Sequence, residues 1–385
     1  MPARRMEDVP FSGIREIFEE CNQLEREGVD VVHLEIGRPD FDTPQPIKDA
    51  AVDAIDAGHV HYTSNYGIEP LREGIARKLD RENGLEYEPE SEIVVTAGAT
   101  EAVFVTFLAL ADHGDEVLIP DPAWTYASGI TLANGTPVRY ELDPETGFQP
   151  DMDSLEAAVS PSTELLVVNS PHNPTGGVLE RDRVEAIRDF AIEHDLFVLS
   201  DEIYEKILYE GTHHSLAAAD GMWERTVTVN GFSKAYSMTG WRLGYLAAPE
   251  SLVDPLIRAR QYTTTCAPSI SQYAGVRALK GDLHRPMVET FEERRDLVVE
   301  RLADIPGMEL ESEPSGALYA FPEIPEGETD EREFALSLLR EAGVALVPGS
   351  VFGEAGAGRV RIAYSNSTAR IDEAFDRIEE WVAER

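Results

Sequence analysis

Small and polar residues follow several apolar, strand-like runs, at the point where each run ends. The runs are EIVVTA, ELLVV, LFVLS and TVTVN. In open α/β sheets, ligands bind where strands end at their carboxyl edge, so these positions are the first candidates for a site. A small-residue turn at a helix start suits a phosphate, and a primary amine can act both as a nucleophile and as a base. The residues concerned are Gly98, Ala99, Thr100, Asn173, Asp201, Tyr204, Ser233, Lys234 and, eight residues after Lys234, Arg242.

Each of these residues also has a purely structural explanation when it is taken alone. A small-residue turn before a helix is more often an N-cap than a phosphate site, and NPTG is an ordinary turn sequence. An aspartate at the end of a buried strand usually caps or pairs, and a loop lysine is usually solvated. Trp124 and Tyr62 would more often be packing aromatics. The joint occurrence of these residues in one order is what favours a functional site.

The elements that must position these residues alternate along the chain. Short β-rich runs separated by helical patterns of about 10–15 residues predict βαβ units and a mostly parallel sheet covered on both faces. The fold class is therefore α/β. After about Leu283 the pattern changes to long charged helices with three short strands and a closing amphipathic helix from Thr368. We expect a large domain over residues 45–283 and a smaller α/β domain formed by residues 1–44 and 284–385.

The charge of the chain is unusual. Its 33 basic and 72 acidic residues give a formal net charge of −39, and five of the basic residues are lysines. The acidic residues are spread along the chain, which resembles the surface of proteins from salt-loving organisms, where salt screens the self-repulsion. An acidic mesophilic enzyme is the alternative. In either case the charge disfavours nucleic acid and anionic membranes as partners.

The remaining composition indicates a soluble cytoplasmic protein. No uninterrupted run of about 18 apolar residues occurs, and the first residues lack the apolar core of a secretion signal. The two cysteines, Cys21 and Cys266, show no CxxC motif and no clustering with histidine in the sequence. We therefore expect reduced thiols, no disulfide and no metal site.

The chain resembles the pyridoxal-phosphate-dependent aminotransferases of class I/II, which have the fold-type-I architecture. The resemblance is strongest to their aspartate aminotransferase-like members. It implies a mostly parallel seven-stranded sheet in the large domain, pyridoxal 5'-phosphate as cofactor, and a homodimer with active sites at its interface. The matching motifs occur in family order over nearly the whole chain: LEIGRPDFDTP, HYTSNYGIEPLREGIA, TAGATEA, DPAW, NSPHNPTGG, SDEIYE, SKAYSMTGWRLGY, GALYAFPEI, LVPGSVFG and GRVRIAYSN.

The resemblance assigns catalytic and ring-binding roles to five residues. Lys234 matches the lysine that bonds covalently to the cofactor and then moves the substrate proton. Asp201 matches the carboxylate that keeps the pyridine nitrogen protonated. Asn173 and Tyr204 would hydrogen-bond the phenolate oxygen of the cofactor, and Trp124 would stack on its ring.

The resemblance also assigns residues to the phosphate and to the substrate. The N–H groups of Ala99 and Thr100 and the side chain of Arg242 would bind the phosphate, with Tyr62 reaching it from the partner subunit. Arg361 matches the arginine that grips the substrate α-carboxylate. Arg359 is the alternative, because it lies two residues from Arg361 and the alternation of side chains along a strand places both arginines on the same face. The matching glycine that lies against the substrate is Gly37, and Asn173 also belongs to this group.

Two departures from the family pattern concern specificity. Arg38 follows Gly37 where many relatives have Glu, Gln or Gly, and Thr100 occupies a turn that often carries lysine in the bacterial aspartate-specific branch. The second departure weakens a strict aspartate assignment. Arg38 or Arg15 at the mouth of the cleft could pair with the distal carboxylate of glutamate or aspartate, whereas a surface ion pair is the alternative for Arg38.

These observations predict an aminotransferase that moves an amino group between an L-amino acid and a 2-oxo acid, with glutamate and 2-oxoglutarate as one pair. A lyase or decarboxylase on the same scaffold is an alternative enzyme. A non-catalytic ligand-binding relative is the alternative from a different class, and the presence of both Lys234 and Asp201 argues against it.

Overall fold

A computed structural model describes residues 3–325, 327–328 and 330–385. The described chain alternates helices and strands through its first two thirds and has longer helices near its end. Its α-helices are α1 (Gly13–Arg26), α2 (Gln45–Asp56), α3 (Glu69–Lys78), α4 (Ala99–Leu110), α5 (Tyr126–Leu132), α6 (Met152–Ala158), α7 (Arg181–Glu193), α8 (Glu250–Arg260), α9 (Ser269–Ala278), α10 (Arg285–Ala303), α11 (Glu331–Ala342) and α12 (Thr368–Ala383).

The strands form one large and two small sheets. Their bounds are β1 (Val32–His33), β2 (Ile93–Thr96), β3 (Glu116–Asp121), β4 (Thr136–Asp143), β5 (Gln149–Pro150), β6 (Thr163–Asn169), β7 (Phe197–Asp201), β8 (Thr226–Gly231), β9 (Gly244–Ala247), β10 (Tyr319–Ala320), β11 (Val344–Ala345), β12 (Val347–Pro348) and β13 (Val360–Ala363).

The large sheet has the strand order β2-β9-β8-β7-β6-β3-β4-β5. The four pairings from β8 to β4 are parallel, and β9 pairs antiparallel with both β2 and β8. The seven predicted strands are therefore present. An eighth strand, β5, adds two residues antiparallel to β4 at one edge. A two-residue strand carries too little apolar alternation to be recognised from the sequence.

Both faces of the large sheet are buried, which explains why its central strands are almost continuously apolar. Along β6, Leu165 and Val167 pack with α4, α5 and α8 on one face, whereas Leu166 and Val168 pack with α6 and α7 on the other. Successive side chains of a strand alternate between the two faces of a sheet. The same alternation decides where the polar residues at the strand ends are placed.

One small sheet joins the N-terminal segment to the C-terminal third, and the other small sheet lies within the C-terminal third. Strand β1 pairs in parallel with β11, and β13 pairs antiparallel with β10 and β12. The three short strands predicted after residue 283 correspond to β10, to β11 with β12, and to β13, and the closing helix is α12. The division into domains at 44/45 and 283/284 stays a proposal, and it places β1 with the C-terminal strands that it contacts.

None of the helices in the described ranges combines the length and the apolar character that a bilayer crossing requires.

Candidate active site

The carboxyl ends of three parallel strands, β6, β7 and β8, meet the start of α4 at one cavity of about 340 Å³. Parallel strands end at the same edge of a sheet, so residues distant in the sequence converge there. Eleven of the twelve predicted site residues line this cavity: Gly37, Arg38, Ala99, Thr100, Trp124, Asn173, Asp201, Tyr204, Lys234, Arg242 and Arg361.

Asp201 is the last residue of β7 and is 4% exposed. The Tyr126 hydroxyl donates a hydrogen bond to its Oδ2 at 2.8 Å, and the Ile203 N–H donates to its Oδ1 at 3.3 Å. Burial raises the pKa of the Asp201 carboxyl to about 6, although both hydrogen bonds act in the opposite direction. In the part of the chain that the structure describes, no lysine or arginine forms an ion pair with Asp201. The carboxylate is thus suited to a cationic group of a ligand.

Lys234 lies between the N-terminal segment and an aromatic pair. Its Nζ donates a hydrogen bond to the Gly37 carbonyl at 2.6 Å and lies 5.4 Å from the centre of the Tyr204 ring. The Tyr204 hydroxyl is 2.7 Å from that of Tyr319, and burial raises the Tyr204 pKa well above its usual value. Tyr204 therefore remains a neutral hydrogen-bond donor. A Cβ at Gly37 would lie 1.9 Å from the Tyr319 hydroxyl, so only glycine fits there without moving Tyr319.

Arg361 is buried in the wall of the cavity, at 2% exposure. Its Nη1 donates to Asn173 Oδ1 at 3.0 Å, and its Nη2 donates to the Glu35 backbone carbonyl at 2.5 Å. The guanidinium carbon lies 4.5 Å from the centre of the Tyr319 ring and 4.8 Å from that of Phe352. Among the described residues its Nε has no hydrogen-bond partner. Burial lowers the Arg361 pKa, and since its acceptors are neutral, its charge is available to an anionic ligand.

A turn with a left-handed glycine leads into α4. Gly98 has φ +87°, and a Cβ there would lie 2.5 Å from Nη2 of Arg242, so this position requires glycine. Arg242 also has a left-handed backbone, with φ +51°, and its Nη1 donates to the Thr239 carbonyl at 3.0 Å. The guanidinium therefore lies beside the first N–H groups of α4. This pairing of a helix N-terminus with an arginine is suited to a phosphate group.

The two arginines considered for a distal carboxylate lie in different places. Arg38 is exposed at the cavity that contains Arg361, and no ion pair involves it within residues 3–325, 327–328 and 330–385. Arg15 lies 4.0 Å from Glu19 and lines a neighbouring cavity of about 660 Å³. The two cavities share Ile14, Ile36 and Trp124 in their walls.

Two predicted or rival residues lie outside the cavity. The rival Arg359 pairs with Glu311 at 2.7 Å and with Glu323 at 3.4 Å, whereas Arg361 lines the cavity. Tyr62 is 89% exposed, in the connection between α2 and α3. Within one chain, therefore, Tyr62 is the predicted site residue that the structure does not bring to the others.

Sequence reasoning missed four polar residues that line the cavity, Tyr126, Asn169, Thr239 and Tyr319, of which three have a clear role or position. The amide of Asn169 donates to the Asp201 carbonyl at 2.8 Å, and its side-chain oxygen accepts from the Asn173 N–H at 3.0 Å. A signal existed for these three. Tyr126 comes two residues after Trp124, Asn169 ends an apolar run, and Tyr319 lies in the motif GALYAF.

The cysteines do not cluster with histidine in the sequence, but the fold brings one of them close to a histidine. One potential ligand atom from each of Cys21, His33 and Glu35 lies within 4.8 Å of the others. Cys21 is on α1 and His33 is in β1, so the helix–strand packing creates a proximity that the sequence spacing conceals.

The residues of the cavity fit pyridoxal 5'-phosphate. The buried Asp201 carboxyl, with its raised pKa, offers a counter-ion for a pyridinium nitrogen. The absence of a side chain at Gly98 lets the Arg242 guanidinium lie against the turn that leads into α4, where a phosphate is favoured. Lys234 provides the primary amine that the cofactor aldehyde requires.

Comparisons with known proteins agree with this fit. The family model for aminotransferases of class I and II matches residues 29–378. The chain is 42% identical to aromatic-amino-acid aminotransferase 2 of Thermococcus litoralis, covering 99% of this chain and 98% of that protein. It is 43% identical to an aspartate aminotransferase of Pyrococcus abyssi, with the same coverage.

Solved structures show the same relationship. A Thermus thermophilus aspartate aminotransferase with maleate is 40% identical, covers 99% of each chain and has a TM-score of 0.93. An aromatic aminotransferase from Pyrococcus horikoshii is 43% identical, covers 95% of this chain and 99% of its own, and has a TM-score of 0.90.

Proposed function

Because the chain belongs to the family of class I and II aminotransferases, we propose that glutamate and 2-oxoglutarate form one of its substrate pairs. The protein is a pyridoxal-phosphate-dependent aminotransferase and moves an amino group between an amino acid and a 2-oxo acid. The two relatives named above differ in their amino acid, one being an aromatic and the other an aspartate aminotransferase. The names of these relatives therefore leave the amino acid open, and the residues of the cavity have to indicate it.

The observation that carries the proposal is the presence of two arginines, Arg361 and Arg38, at the cavity that contains Lys234. Arg361 is buried and held in place by Asn173 and the Glu35 carbonyl, which suits the α-carboxylate common to all substrates. Arg38 is exposed at the same cavity and is free to pair with a second, distal carboxylate. A dicarboxylic substrate would engage both charges. The Thermus relative was solved with maleate, which is a dicarboxylate.

The cofactor supplies an aldehyde for the amino group and a ring that withdraws electrons from the substrate Cα. Lys234 holds the proton that moves during the reaction, and the Gly37 carbonyl 2.6 Å away orients its amine at the cavity wall. A substrate carboxylate on Arg361 is positioned by a guanidinium with little freedom to move, because two acceptors and two aromatic rings hold it.

Three further residues set the electrostatics of the cofactor. Asp201 stabilises a proton on the pyridine nitrogen, since a charged partner relieves the cost of its burial. With the cofactor bound, the Tyr204 hydroxyl and the Asn173 amide N–H would donate hydrogen bonds that favour an ionised phenolate oxygen. Tyr319, at 2.7 Å from the Tyr204 hydroxyl, orients that donor.

We also propose a homodimer in which Tyr62 completes the phosphate site of the neighbouring subunit. Tyr62 is 89% exposed and lies away from its own cavity, and Arg242 is exposed as well.

We also propose that the protein is cytoplasmic and that it requires salt. The salt requirement is supported by the net charge of −39, because screening reduces the repulsion among the acidic residues.

Subunit complementation tests the dimer. The Lys234→Ala and Tyr62→Ala proteins should each have low activity when assayed alone. If Tyr62 acts in the neighbouring site, a mixed dimer contains one site with both defects and one intact site. Mixing the two proteins after reversible dissociation should then restore activity per mixed dimer to about half that of wild type, as two independent sites require. Activity no higher than the sum of the two parents would place Tyr62 outside the neighbouring site.

A panel of amino donors with 2-oxoglutarate, at high and at low salt, tests the substrate pair. Formation of one new amino acid per 2-oxo acid consumed distinguishes transamination from a lyase reaction. Arg38→Ala should lower kcat/KM for glutamate by roughly 10- to 100-fold, the value of a charge-assisted hydrogen bond, and should leave a neutral donor nearly unchanged. Arg15→Ala is the matched control. An equal loss for both donors in Arg38→Ala would reject the role in substrate selection.

A further inference from the structure

A cluster of three potential metal ligands lies where α1 packs against β1, outside the active-site cavity. Cys21 is on α1 and fully buried, His33 ends β1, and Glu35 follows two residues later and is also fully buried. One ligand atom of each lies within 4.8 Å of the other two. Apolar residues surround the cysteine, among them Ile17 and Val31.

The carboxylate of this cluster has unused acceptor capacity. The Glu35 Oε1 lies 2.8 Å from His33 Nδ1. Its Oε2 is buried and has no hydrogen-bond partner among the residues that the structure describes. No lysine or arginine of those residues forms an ion pair with Glu35. A fully buried carboxylate with an unpartnered oxygen is costly unless a cation or a donor satisfies it.

The histidine is oriented as a metal ligand requires. Its Nε2 lies 3.3 Å from Glu25 Oε1. If Nε2 donates its proton to that carboxylate, the lone pair of Nδ1 faces Glu35 Oε1, and the 2.8 Å between these two acceptors requires a cation or a proton between them. Metal-binding histidines usually donate their second ring N–H to a carboxylate in this way, which holds the tautomer and the ring orientation.

We propose that Cys21 Sγ, His33 Nδ1 and the Glu35 carboxylate bind one divalent cation of the zinc class, with Glu25 orienting the histidine. A sulfur, a nitrogen and a carboxylate oxygen are ligands that Zn²⁺ accepts, whereas Mg²⁺ and Ca²⁺ prefer oxygen ligands alone. Three protein ligands leave a fourth position for water. The alternative is a proton on Nδ1, which would make His33 an imidazolium between the carboxylates of Glu35 and Glu25.

The site would connect α1 to the active site. The Glu35 backbone carbonyl accepts a hydrogen bond from Arg361 at 2.5 Å, and Ile14 of α1 lines the active-site cavity. A cation on Cys21 and Glu35 links helix α1 to the segment that supports Arg361. Metal binding should therefore stabilise the N-terminal segment without adding a group to the reaction.

Cobalt binding to the holoenzyme tests the proposal with a readout other than activity. Holoenzyme treated with chelator and then titrated with Co²⁺ alone should bind one ion per chain. It should also develop the near-ultraviolet charge-transfer absorbance of a thiolate–cobalt bond. Cys266→Ser is the matched control and should retain this absorbance. Cys21→Ser should lose it and bind Co²⁺ at least roughly tenfold more weakly.

Absence of Co²⁺ binding by wild type, or loss of the absorbance in Cys266→Ser instead of Cys21→Ser, would overturn the proposal. If Cys21→Ser does not fold, Glu25→Gln decides, since Glu25 is partly exposed and binds no metal itself. This variant should bind Co²⁺ about tenfold more weakly, as expected for loss of the group that orients a ligand. An affinity equal to that of wild type would reject the site.

Discussion

Strand β7 ends at the buried Asp201, and the next residue, Glu202, is also buried, but the two carboxylates have opposite surroundings. Asp201 lines the active-site cavity and accepts hydrogen bonds from one tyrosine and one backbone N–H. Glu202 belongs to what we term the Lys78 cluster, which consists of Lys78, Asn83, Glu202, Glu205 and His213. Because side chains alternate along a strand, neighbouring residues reach opposite sides of the sheet.

The Lys78 cluster satisfies its own carboxylates. Lys78 forms an ion pair with Glu205 and donates to Asn83 at 2.7 Å, and Asn83 donates to Glu205 at 3.0 Å. His213 lies 2.8 Å from Glu202. Despite its burial, the pKa of Glu205 is lowered to about 2, chiefly by the charge of Lys78. The Asp201 pKa is instead raised to about 6 by burial.

A ligand site and a structural ion pair therefore treat a buried carboxylate differently within one molecule. Where the chain provides the cation, a buried carboxylate is ionised and contributes to stability. Where the chain provides none, the carboxylate costs stability and remains available to a ligand. Asp201 and Glu205 illustrate the two cases.

The largest effect should come from Lys234→Ala. Loss of the only amine that lines the cavity within the described residues should lower kcat by more than about 10⁴-fold, because both the nucleophile and the proton carrier are lost. Lys78→Ala, by contrast, should retain turnover and lose stability. Steady-state kinetics of Lys234→Ala measures the loss of kcat, with Lys48→Ala as the surface control. Residual turnover within tenfold of wild type would contradict the role of Lys234.

Asp201→Asn should lower kcat/KM by roughly 10²- to 10³-fold, the range for loss of one preorganised electrostatic partner. The cofactor-free protein should nevertheless become more stable at pH 7, by at most about 3 kcal/mol. The carboxyl pKa is raised in the folded state from 3.8 to about 6. The gain in stability is therefore complete above pH 6 and vanishes below pH 3.8. Urea unfolding of the cofactor-free protein from pH 4 to 8 measures it, and lower stability of Asp201→Asn at pH 7 would contradict it.

Glu205→Gln should show the reverse pattern. Its pKa is lowered in the folded state from 4.5 to about 2. The carboxylate therefore contributes stability above pH 4.5, and this contribution is lost as the pH falls towards 2. The variant should lose about 3 kcal/mol of unfolding free energy at neutral pH, as for a broken buried ion pair, with kcat/KM nearly unchanged. The exposed Glu86→Gln is the control, and equal stability of Glu205→Gln and wild type would remove the contrast with Asp201.

The smallest effect should come from Tyr126→Phe. The Tyr126 hydroxyl lowers the Asp201 pKa, so its removal should raise that pKa further and leave less carboxylate ionised near pH 6. We expect about tenfold weaker cofactor binding, the value of one hydrogen bond to a charged group, with a larger deficit at pH 6 than at pH 8. Cofactor titration of the apoprotein measures this. A deficit independent of pH would show that Tyr126 acts by packing alone.

Much of the site could be predicted from the sequence because parallel strands end together. Asn173, Asp201 and Lys234 follow apolar runs, and any parallel sheet brings such positions to one edge. The order of the strands in the sheet, β2-β9-β8-β7-β6-β3-β4-β5, was not predicted. Strand order depends on how the connections cross the sheet, and this leaves no local pattern in the sequence.

Other parts of the site depend on distances that no spacing encodes. The contact of Tyr126 with Asp201 joins residues 75 positions apart, and that of Tyr204 with Tyr319 joins residues 115 positions apart. Arg359 and Arg361 could not be separated by alternation. In the structure Glu311 and Glu323 bind Arg359, whereas Arg361 packs between Tyr319 and Phe352.

The sequence alone indicates the chemistry of the site: a primary amine and a carboxylate that follow apolar strands, together with several arginines. Apolar periodicity and turn residues act locally, so they can be read along the chain. Which buried carboxylates receive a cation from the chain depends on how distant segments pack in the folded protein. This difference separates Asp201 from Glu205, because the solvation and the charge of a group depend on what packs within a few ångströms of it, whatever the distance in sequence.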